Sequence, residues 1–265
     1  MQDFISFKGR TCLVTGAGSK NGIGFNTARI LGELGGSIAL ISTTDRIFER
    51  AGELNALGIK AKGYIADLID RKQTEKVIGI IAEEFKGIDV LVNNAGMTQV
   101  GEEEEFCEFS ETPYESWDFS IERNLNITFN VTRNVISQMI DAGYGRIVNV
   151  ASVTGPLVSN PGEAGYSAAK AAICGMSRAI AIETGKYNIT VNNVLPGWIA
   201  TASQTEGEAA GGLNTPAGRG GDAEEVANAI VFLASDRASY ITGQDIVVDG
   251  GNIIQEYKGP ADLYY

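Results

Sequence analysis

Tyr166 and Lys170 stand four residues apart in the stretch EAGYSAAKAAICGMSRAIAIE, whose composition predicts a helix. Residues i and i+4 share a helix face, so the phenol and the ammonium sit side by side. On most helices such a pair is surface decoration. It gains a chemical purpose where a proton must be moved. An ordinary tyrosine, with a pKa of about 10, exchanges its proton poorly at neutral pH, and a neighbouring positive charge favours the phenolate. Opposite charges about 4 Å apart interact by roughly 4 kcal/mol at an effective dielectric near 20. The chain contains no histidine. Ser-His-Asp triads, Cys-His pairs and His-ligated metal sites are therefore excluded, no metal site is predicted, and tyrosine becomes a candidate acid.

The elements that must carry this pair alternate along the chain. TCLVTG predicts a strand and Ile23–Leu34 a helix; SIALIS a strand and Asp45–Leu57 a helix; AKGYIAD a strand and Asp70–Phe85 a helix; IDVLVNNAG a further strand. Thr112-Pro113-Tyr114-Glu115 has a capping residue, a first-turn proline and an N3 glutamate, which predicts a helix start running on to about Ala142. RIVNVAS, ITVNNVLPG and DIVVDGG predict strands, and Asp222-Ala223-Glu224-Glu225 opens a helix. Short strands, apolar on both faces and separated by helices, indicate an α/β fold: a doubly wound parallel sheet of about seven strands. With no composition break and no internal repeat, residues 1–265 are expected to form one domain. The acidic run Glu102–Glu105 suggests a solvated loop, and Ser203–Asn214, SQTEGEAAGGLN, a mobile one.

Between the first strand and the first helix lies TGAGSKNGIG, Thr15–Gly24. Glycines there permit a tight turn and close approach to a pyrophosphate, and the helix offers its N-terminus to negative charge. No Gly-Lys-Ser/Thr is present, which excludes a P-loop. Ligands of open α/β sheets sit outside the carboxyl ends of the strands. Gly16 to Gly24 follow strand one; Asp67 ends strand three; Asn93, Asn94 and Gly96 end strand four; Ser152 ends strand five; Pro196, Gly197 and Thr201 follow strand six. Any one of these could be a turn or cap residue, but all fall on one edge.

Together TGAGSKNGIG, NNAG, VNVASVTG, YSAAK, VLPGWIAT and ITGQDIVVDGG resemble the short-chain dehydrogenase/reductase family, from Lys8 to about Asn252. The resemblance is to its 3-oxoacyl-acyl-carrier-protein-reductase-like branch. It implies a Rossmann fold, a dimer or more often a tetramer, and hydride exchange between a nicotinamide cofactor and a small carbonyl or alcohol substrate. Ketone reduction needs a hydride on carbon, from the cofactor, and a proton on oxygen, from an acid near its working pH; Tyr166 beside Lys170 fits the second need. The resemblance further implies that Ser152 hydrogen-bonds the substrate oxygen. Asn124, seven residues after Trp117, would hold a water near Lys170. Lys170 would also bind the nicotinamide ribose, Thr201 the carboxamide, Asp67 the adenine and the Asn93 backbone the adenosine ribose. The implied cofactor site takes in Gly16, Ser19, Lys20, Gly22, Ile23 and Gly24; Ser42 and Thr43; Asp67 and Leu68; Asn94, Ala95 and Gly96; Pro196, Gly197, Ile199 and Thr201; and Tyr166 and Lys170. Three features depart from the family's pattern: a phosphate loop two residues longer, around Lys20-Asn21; a longer segment after NNAG; and the tail Ile253–Tyr265.

An acid ending strand two would hold the ribose hydroxyls of NAD and repel a 2′-phosphate. Counting from the glycines, Asp45 is a candidate. By strand geometry the position is Ser42, and Asp45 is placed to cap the next helix. Ser42, Thr43 and Thr44 then offer hydroxyls to a phosphate, with Lys20 and Arg46 supplying charge. NADP(H) is the expected cofactor, with NAD(H) as the alternative. A 3-oxoacyl-acyl-carrier-protein reductase is the competing function. Positions where such reductases present basic docking residues read Gly143 and Tyr187, with Lys186 and Arg178 as partial compensation. A cofactor-sensing regulator without turnover would commonly have lost the Tyr or the Lys. The formal charge of −12 and the absence of a basic run disfavour nucleic acid and anionic membranes as partners. No signal peptide is read in MQDFISFKGRTCLVTG, and Cys12, Cys107 and Cys174 are scattered, which suggests thiols in a reducing cytoplasm.

Overall fold

Strand β1 (Thr11–Thr15) is buried along its whole length and pairs in parallel with β2 (Ser37–Ser42) on one side and β4 (Val90–Asn93) on the other. In this computed structural model, which describes residues 4–96, 107–201, 204–256 and 258–259, the pairing continues outward. β3 (Ala61–Ile65) lies beyond β2, and β5 (Gly145–Val150), β6 (Ile189–Pro196) and β9 (Asp245–Val248) lie beyond β4. The seven-stranded order is β3-β2-β1-β4-β5-β6-β9. Strand order reverses between β1 and β4, the switch point where the fold opens a crevice. A second pair, β7 (Ile199–Ala200) with β8 (Gly221–Asp222), stands outside this sheet.

Alternate residues feed two apolar layers, as the two-residue strand period requires. Cys12, Val14, Ile38, Leu40, Val92, Val148 and Val194 pack against α1 (Ile23–Glu33), α2 (Arg46–Ala56) and α8 (Ala223–Ala234). Leu13, Ala39, Ile41, Leu91, Ile147 and Val191 face the other way, toward α3 (Arg71–Phe85), α5 (Ile127–Ala142) and α6 (Ala164–Thr184). Helix α3 starts where the sequence places it: the Asp70 carboxylate accepts from the Lys72 and Gln73 amides. Helix α8 begins with the reciprocal Asp222–Glu225 capping box.

Three expectations are corrected. Pro113 is extended (ψ 145°), so α4 (Tyr114–Ile121) begins one residue late and no side chain caps it. Thr112 turns back instead, its hydroxyl donating to the Glu108 carbonyl at 3.2 Å. The run to Ala142 is interrupted by a π-helical turn over Glu122–Asn126, where the Ile127 amide reaches the Glu122 carbonyl. The Gly-rich stretch read as a loop contains α7 (Glu206–Leu213), opened by a Thr205–Glu208 capping box whose bonds measure 3.2 and 2.7 Å. That box offsets the poor helix propensity of Gly207, Gly211 and Gly212. The acidic run Glu102–Glu105 and nearly all of the tail after Glu256 lie outside the described residues. Among the described residues, no helix is long and apolar enough to cross a membrane, and no cluster could hold a metal ion.

Candidate active site

Helix α6 presents Tyr166 half-buried in its first turn and Lys170, 4% exposed, one turn below. The Lys170 ammonium lies 5.5 Å from the Tyr166 ring centroid and donates to the Val150 carbonyl at the end of β5, at 3.3 Å. Opposite it, the π-turn carries Asn124 with no exposed surface, its Nδ2 donating to the Ser120 carbonyl at 3.1 Å. Gly96, at the end of the β4 segment, locates the junction. A Cβ there would stand 3.4 Å from Asn124 Oδ1 and 3.5 Å from Lys170 Nζ. The lysine, the asparagine and the NNAG segment thus converge on one point at the carboxyl edge of the sheet. A π-turn shifts the following side chains relative to an α-helix, and such turns are frequent at functional sites. The sequence carried no signal for it.

Ser152 follows β5, its Oγ accepting from the Thr154 amide at 3.1 Å. Its loop is pressed along the start of α6. Gly155 has φ +102°, and a Cβ on it would come 2.3 Å from the Ser167 carbonyl oxygen. Ser159 Oγ and Ser167 Oγ are 2.7 Å apart. The serine loop and the tyrosine helix are therefore held together immediately beside Tyr166.

The other sequence-identified residues lie along the same edge. Gly16 adopts φ +68°, its Cβ direction blocked by the Ala95 backbone at 2.8 Å, and a Cβ on Gly24 would meet Asn94 Nδ2 at 2.6 Å. The Asn94 side chain donates to the Thr15 and Gly16 carbonyls at 3.1 and 3.0 Å. Thr15, which sequence reasoning missed, accepts the Asn94 and Ala95 amides on its hydroxyl at 3.1 and 3.0 Å. Its signal was present: a hydroxyl ending β1 just before the glycine loop. Gly18 packs so closely on the end of β2 that a Cβ would stand 2.7 Å from Ser42 Oγ. Thr43 and Asp67 are exposed, and Asp67 Oδ1 accepts from the Ile69 amide at 3.0 Å. Leu68 is buried, its carbonyl taken by Thr74 and Asn130. Pro196 accepts from the Val153 amide, Gly197 donates to Val248, and Ile199 pairs with Gly221. The Ser19 carbonyl accepts the Gly22 amide. Lys20 points toward α2, 3.5 Å from Glu53. Asp45 takes the N-cap position of α2 but makes no side-chain cap bond.

The edge fits a dinucleotide. Gly22 is the N-cap of α1, no side chain caps that helix, and no acid stands in its first turn. Its positive end therefore faces the glycine loop without an internal counter-charge. The missing side chain at Gly18 lets the glycine loop close onto the end of β2, which brings its backbone beside the Ser42 hydroxyl.

Known proteins resemble this chain in sequence and in fold. The family model described as Enoyl-(Acyl carrier protein) reductase matches residues 16–252. The chain is 36% identical to the oxidoreductase UcpA of Salmonella typhimurium over 260 residues, covering 94% of this chain and 96% of that protein. It is 40% identical to the 3-oxoacyl-(acyl-carrier-protein) reductase FabG of Thermotoga maritima over 253 residues, covering 93% and 99%. The crystal structure of a gluconate dehydrogenase candidate from Agrobacterium tumefaciens superposes with a TM-score of 0.86 at 30% identity, covering 94% of this chain and 97% of that one.

Proposed function

The chain belongs to the short-chain dehydrogenase/reductase family of nicotinamide-dependent oxidoreductases, and from that premise we propose that Tyr166 is the proton donor and acceptor in an NADP(H)-dependent interconversion of a ketone and a secondary alcohol. The observation that carries the reading is the junction of Lys170, Asn124 and Gly96 below Tyr166. The bound cofactor supplies or takes the hydride at the substrate carbon. The chain does the rest. In the reducing direction the Tyr166 hydroxyl gives its proton to the substrate oxygen while the Ser152 hydroxyl donates a second hydrogen bond to it. The Lys170 ammonium stabilises the phenolate left behind. Asn124, which meets Lys170 at the Gly96 junction, would hold a water near the lysine through which a proton returns from solvent. In the oxidising direction the same groups accept the proton.

Several finer features belong to this reading. The absence of an acid at Ser42 and the closeness of its hydroxyl to Gly18 favour NADP(H) over NAD(H). The whole chain acts as one catalytic domain, in the cytoplasm, consistent with Cys12 and Cys174 being buried free thiols. It assembles as a homotetramer through the family's usual helix pairing, for which exposed Phe129 on α5 and Ile182 on α6 supply apolar surface. A second reading, reduction of 3-oxoacyl chains on an acyl carrier protein, is favoured by the name of the Thermotoga maritima relative. Against it, Arg178 is held by Asp245, which weakens its compensation for Gly143 and Tyr187 at docking positions.

Following NADPH oxidation across a ketone panel that includes a 3-oxoacyl thioester separates the two. For the mechanism, Tyr166→Phe is expected to bind NADPH normally and lose activity by about a hundredfold or more. A variant keeping more than about a tenth of the wild-type rate would mean that Tyr166 is not the acid.

A further inference from the structure

The buried face of the sheet beneath α6 carries a row of polar side chains that the proposed chemistry does not use. Asn93, Asn149 and Asn193 occupy matching positions on β4, β5 and β6, and Asn193 lies opposite Asp245 on β9. All three asparagines are buried. Asn93 Nδ2 donates to Thr132 Oγ1 of α5 at 2.9 Å and to Asn149 Oδ1 at 2.8 Å. Asn149 Nδ2 donates to Asn193 Oδ1 at 3.2 Å, and Asn193 Nδ2 to the Asp245 carboxylate at 2.7 Å. The donors all run one way, toward a carboxylate, so each bond polarises the next.

Ser177 of α6 enters this row. Its Oγ accepts from Asn149 Nδ2 at 2.9 Å and lies 2.7 Å from both the Ile173 carbonyl and Asn193 Oδ1. A hydroxyl has one proton, so it donates to one of those two at a time. Bonding to Ile173 would by itself satisfy the hydroxyl. The donor that Asn149 directs at it from the strand does something else: it ties helix to sheet. One residue along β5, the Val150 carbonyl accepts from Lys170. Lys170 and Ser177 are seven residues apart, about 20° from alignment on the same helix face. The same strand and helix are thus joined at two neighbouring points, one a structural bond and the other at the candidate site.

Packing alone grips α6 weakly along its axis. Besides Ile173, its buried residues include Ala169, Cys174, Ser177 and Ala181, and small side chains make shallow ridges. Directional bonds must then set its height. We propose that Ser177 is a positioning residue for the Tyr166–Lys170 pair, fixing the height of α6 along β5 through Asn149 and Asn193. This inference rests on the proton-transfer role proposed above for that pair. The ionisable neighbours of the row are Lys170, Arg178, Asp245 and Cys174. Burial, then the Asp245 charge, pushes the Cys174 thiol up to about 12, so it stays protonated in ordinary assays.

The test pairs Ser177→Thr with Ser177→Val, which share a shape and differ by a hydroxyl; Ser177→Ala, which adds no volume, is carried in parallel. The primary readout is the phenolate absorbance titration of the free enzyme, with Tyr166→Phe subtracted as the blank. Valine and alanine are expected to move the Tyr166 titration to higher pH, in the direction of Lys170→Ala, while threonine leaves it in place. The rate of NADPH oxidation with ethyl acetoacetate as probe should fall about tenfold or more in the valine and alanine variants and recover in threonine. Equal titrations in the threonine, valine and alanine variants, with thermal stability alone reduced, would overturn the inference and leave Ser177 a core residue. If Lys170→Ala itself fails to move the titration, the electrostatic reading of Lys170 fails instead.

Discussion

Replacing Gly155 with alanine separates two costs that the structure superimposes at the junction of the serine loop and α6. The first is conformational. Gly155 has φ +102°, and a side chain in that region costs about 1–3 kcal/mol. The second is steric. The new Cβ would stand 2.3 Å from the Ser167 carbonyl oxygen and 3.0 Å from its carbonyl carbon, both backbone atoms of a helix anchored on the sheet. Nothing there can rotate aside, so the loop must lift; overpacking of this kind costs about 1–3 kcal/mol more. Gly58 provides the control, since it has φ +80° and nothing within 4 Å of its Cβ direction. Gly58→Ala should therefore show the conformational cost alone. Taking the steric excess as about 2 kcal/mol, and about 2–4 °C per kcal/mol for a chain near this size, Gly155→Ala should melt about 4–8 °C below Gly58→Ala. Differential scanning fluorimetry at one protein concentration measures this, since assembly makes Tm concentration-dependent. Activity should fall as well, because the loop that lifts carries Ser152. If the two alanine variants melted together and Gly155→Ala kept its rate, the loop would not be seated on Ser167 as described.

Steady-state kinetics with both cofactors should show NADPH used better than NADH, and Ser42→Asp should narrow or reverse that preference, since a carboxylate there repels the 2′-phosphate; a wild-type preference for NADH would move attention to Asp45. Glu225 governs an acid-dependent contribution to stability. The Arg219 fork, with both bonds at 2.7 Å, and then the Asp222 amide hold its carboxyl down to about 2. A depressed folded pKa means the benefit is present above the ordinary value of 4.5 and is lost as pH falls toward 2. Wild type should therefore outlast Glu225→Gln in thermal melts at pH 7, by a margin that shrinks with added salt and fades as pH falls toward about 2; a gap independent of pH would contradict the assignment.

Much of this molecule was legible in its sequence because strand apolarity and turn chemistry are local. SIALIS is β2 from end to end, and Asp70 and Asp222 cap the helices they precede. The carboxyl-edge rule puts Gly16, Asn94, Gly96 and Ser152 on one rim from strand order alone, and helix spacing puts Lys170 beside Tyr166. The failures have specific causes. Thr112-Pro113 satisfies a capping pattern, yet proline takes an extended ψ as readily as a helical one, and the Glu108 carbonyl claims the threonine hydroxyl. In SQTEGEAAGGLN the glycines concealed a Thr205–Glu208 capping box that was there to be read. Gly211 has a tertiary reason to be glycine: a Cβ would stand 2.8 Å from the Trp198 ring, so α7 lies flat on that indole. The π-turn at Asn124 and the buried Arg123, its guanidinium 4.1 Å from the Phe119 ring centroid, had no local signature. The asparagine row was invisible for a different reason: it exists only once three strands that are distant in sequence are set in register.

That dependence on register also bears on how the chain finds its fold. The core residues on both faces of the sheet are mostly Val, Ile, Leu and Ala, which discriminate poorly between neighbouring alignments. A one-residue slip of β4, β5 or β6 would swing Asn93, Asn149 or Asn193 to the opposite face, among Val92, Val148 and Val194 and against the apolar sides of α1 and α8. Each amide stranded there would cost about 1–3 kcal/mol in unmet hydrogen bonds, and would orphan its former partners as well. In the native alignment every side-chain amide nitrogen of the three finds an acceptor, and only the Asn93 Oδ1 at the start of the row has no partner among the described residues. The row thus discriminates between strand alignments that an aliphatic core alone would tolerate: each misaligned register of the central strands carries a polar penalty, and the edge that receives the substrate is built on the one alignment that avoids it.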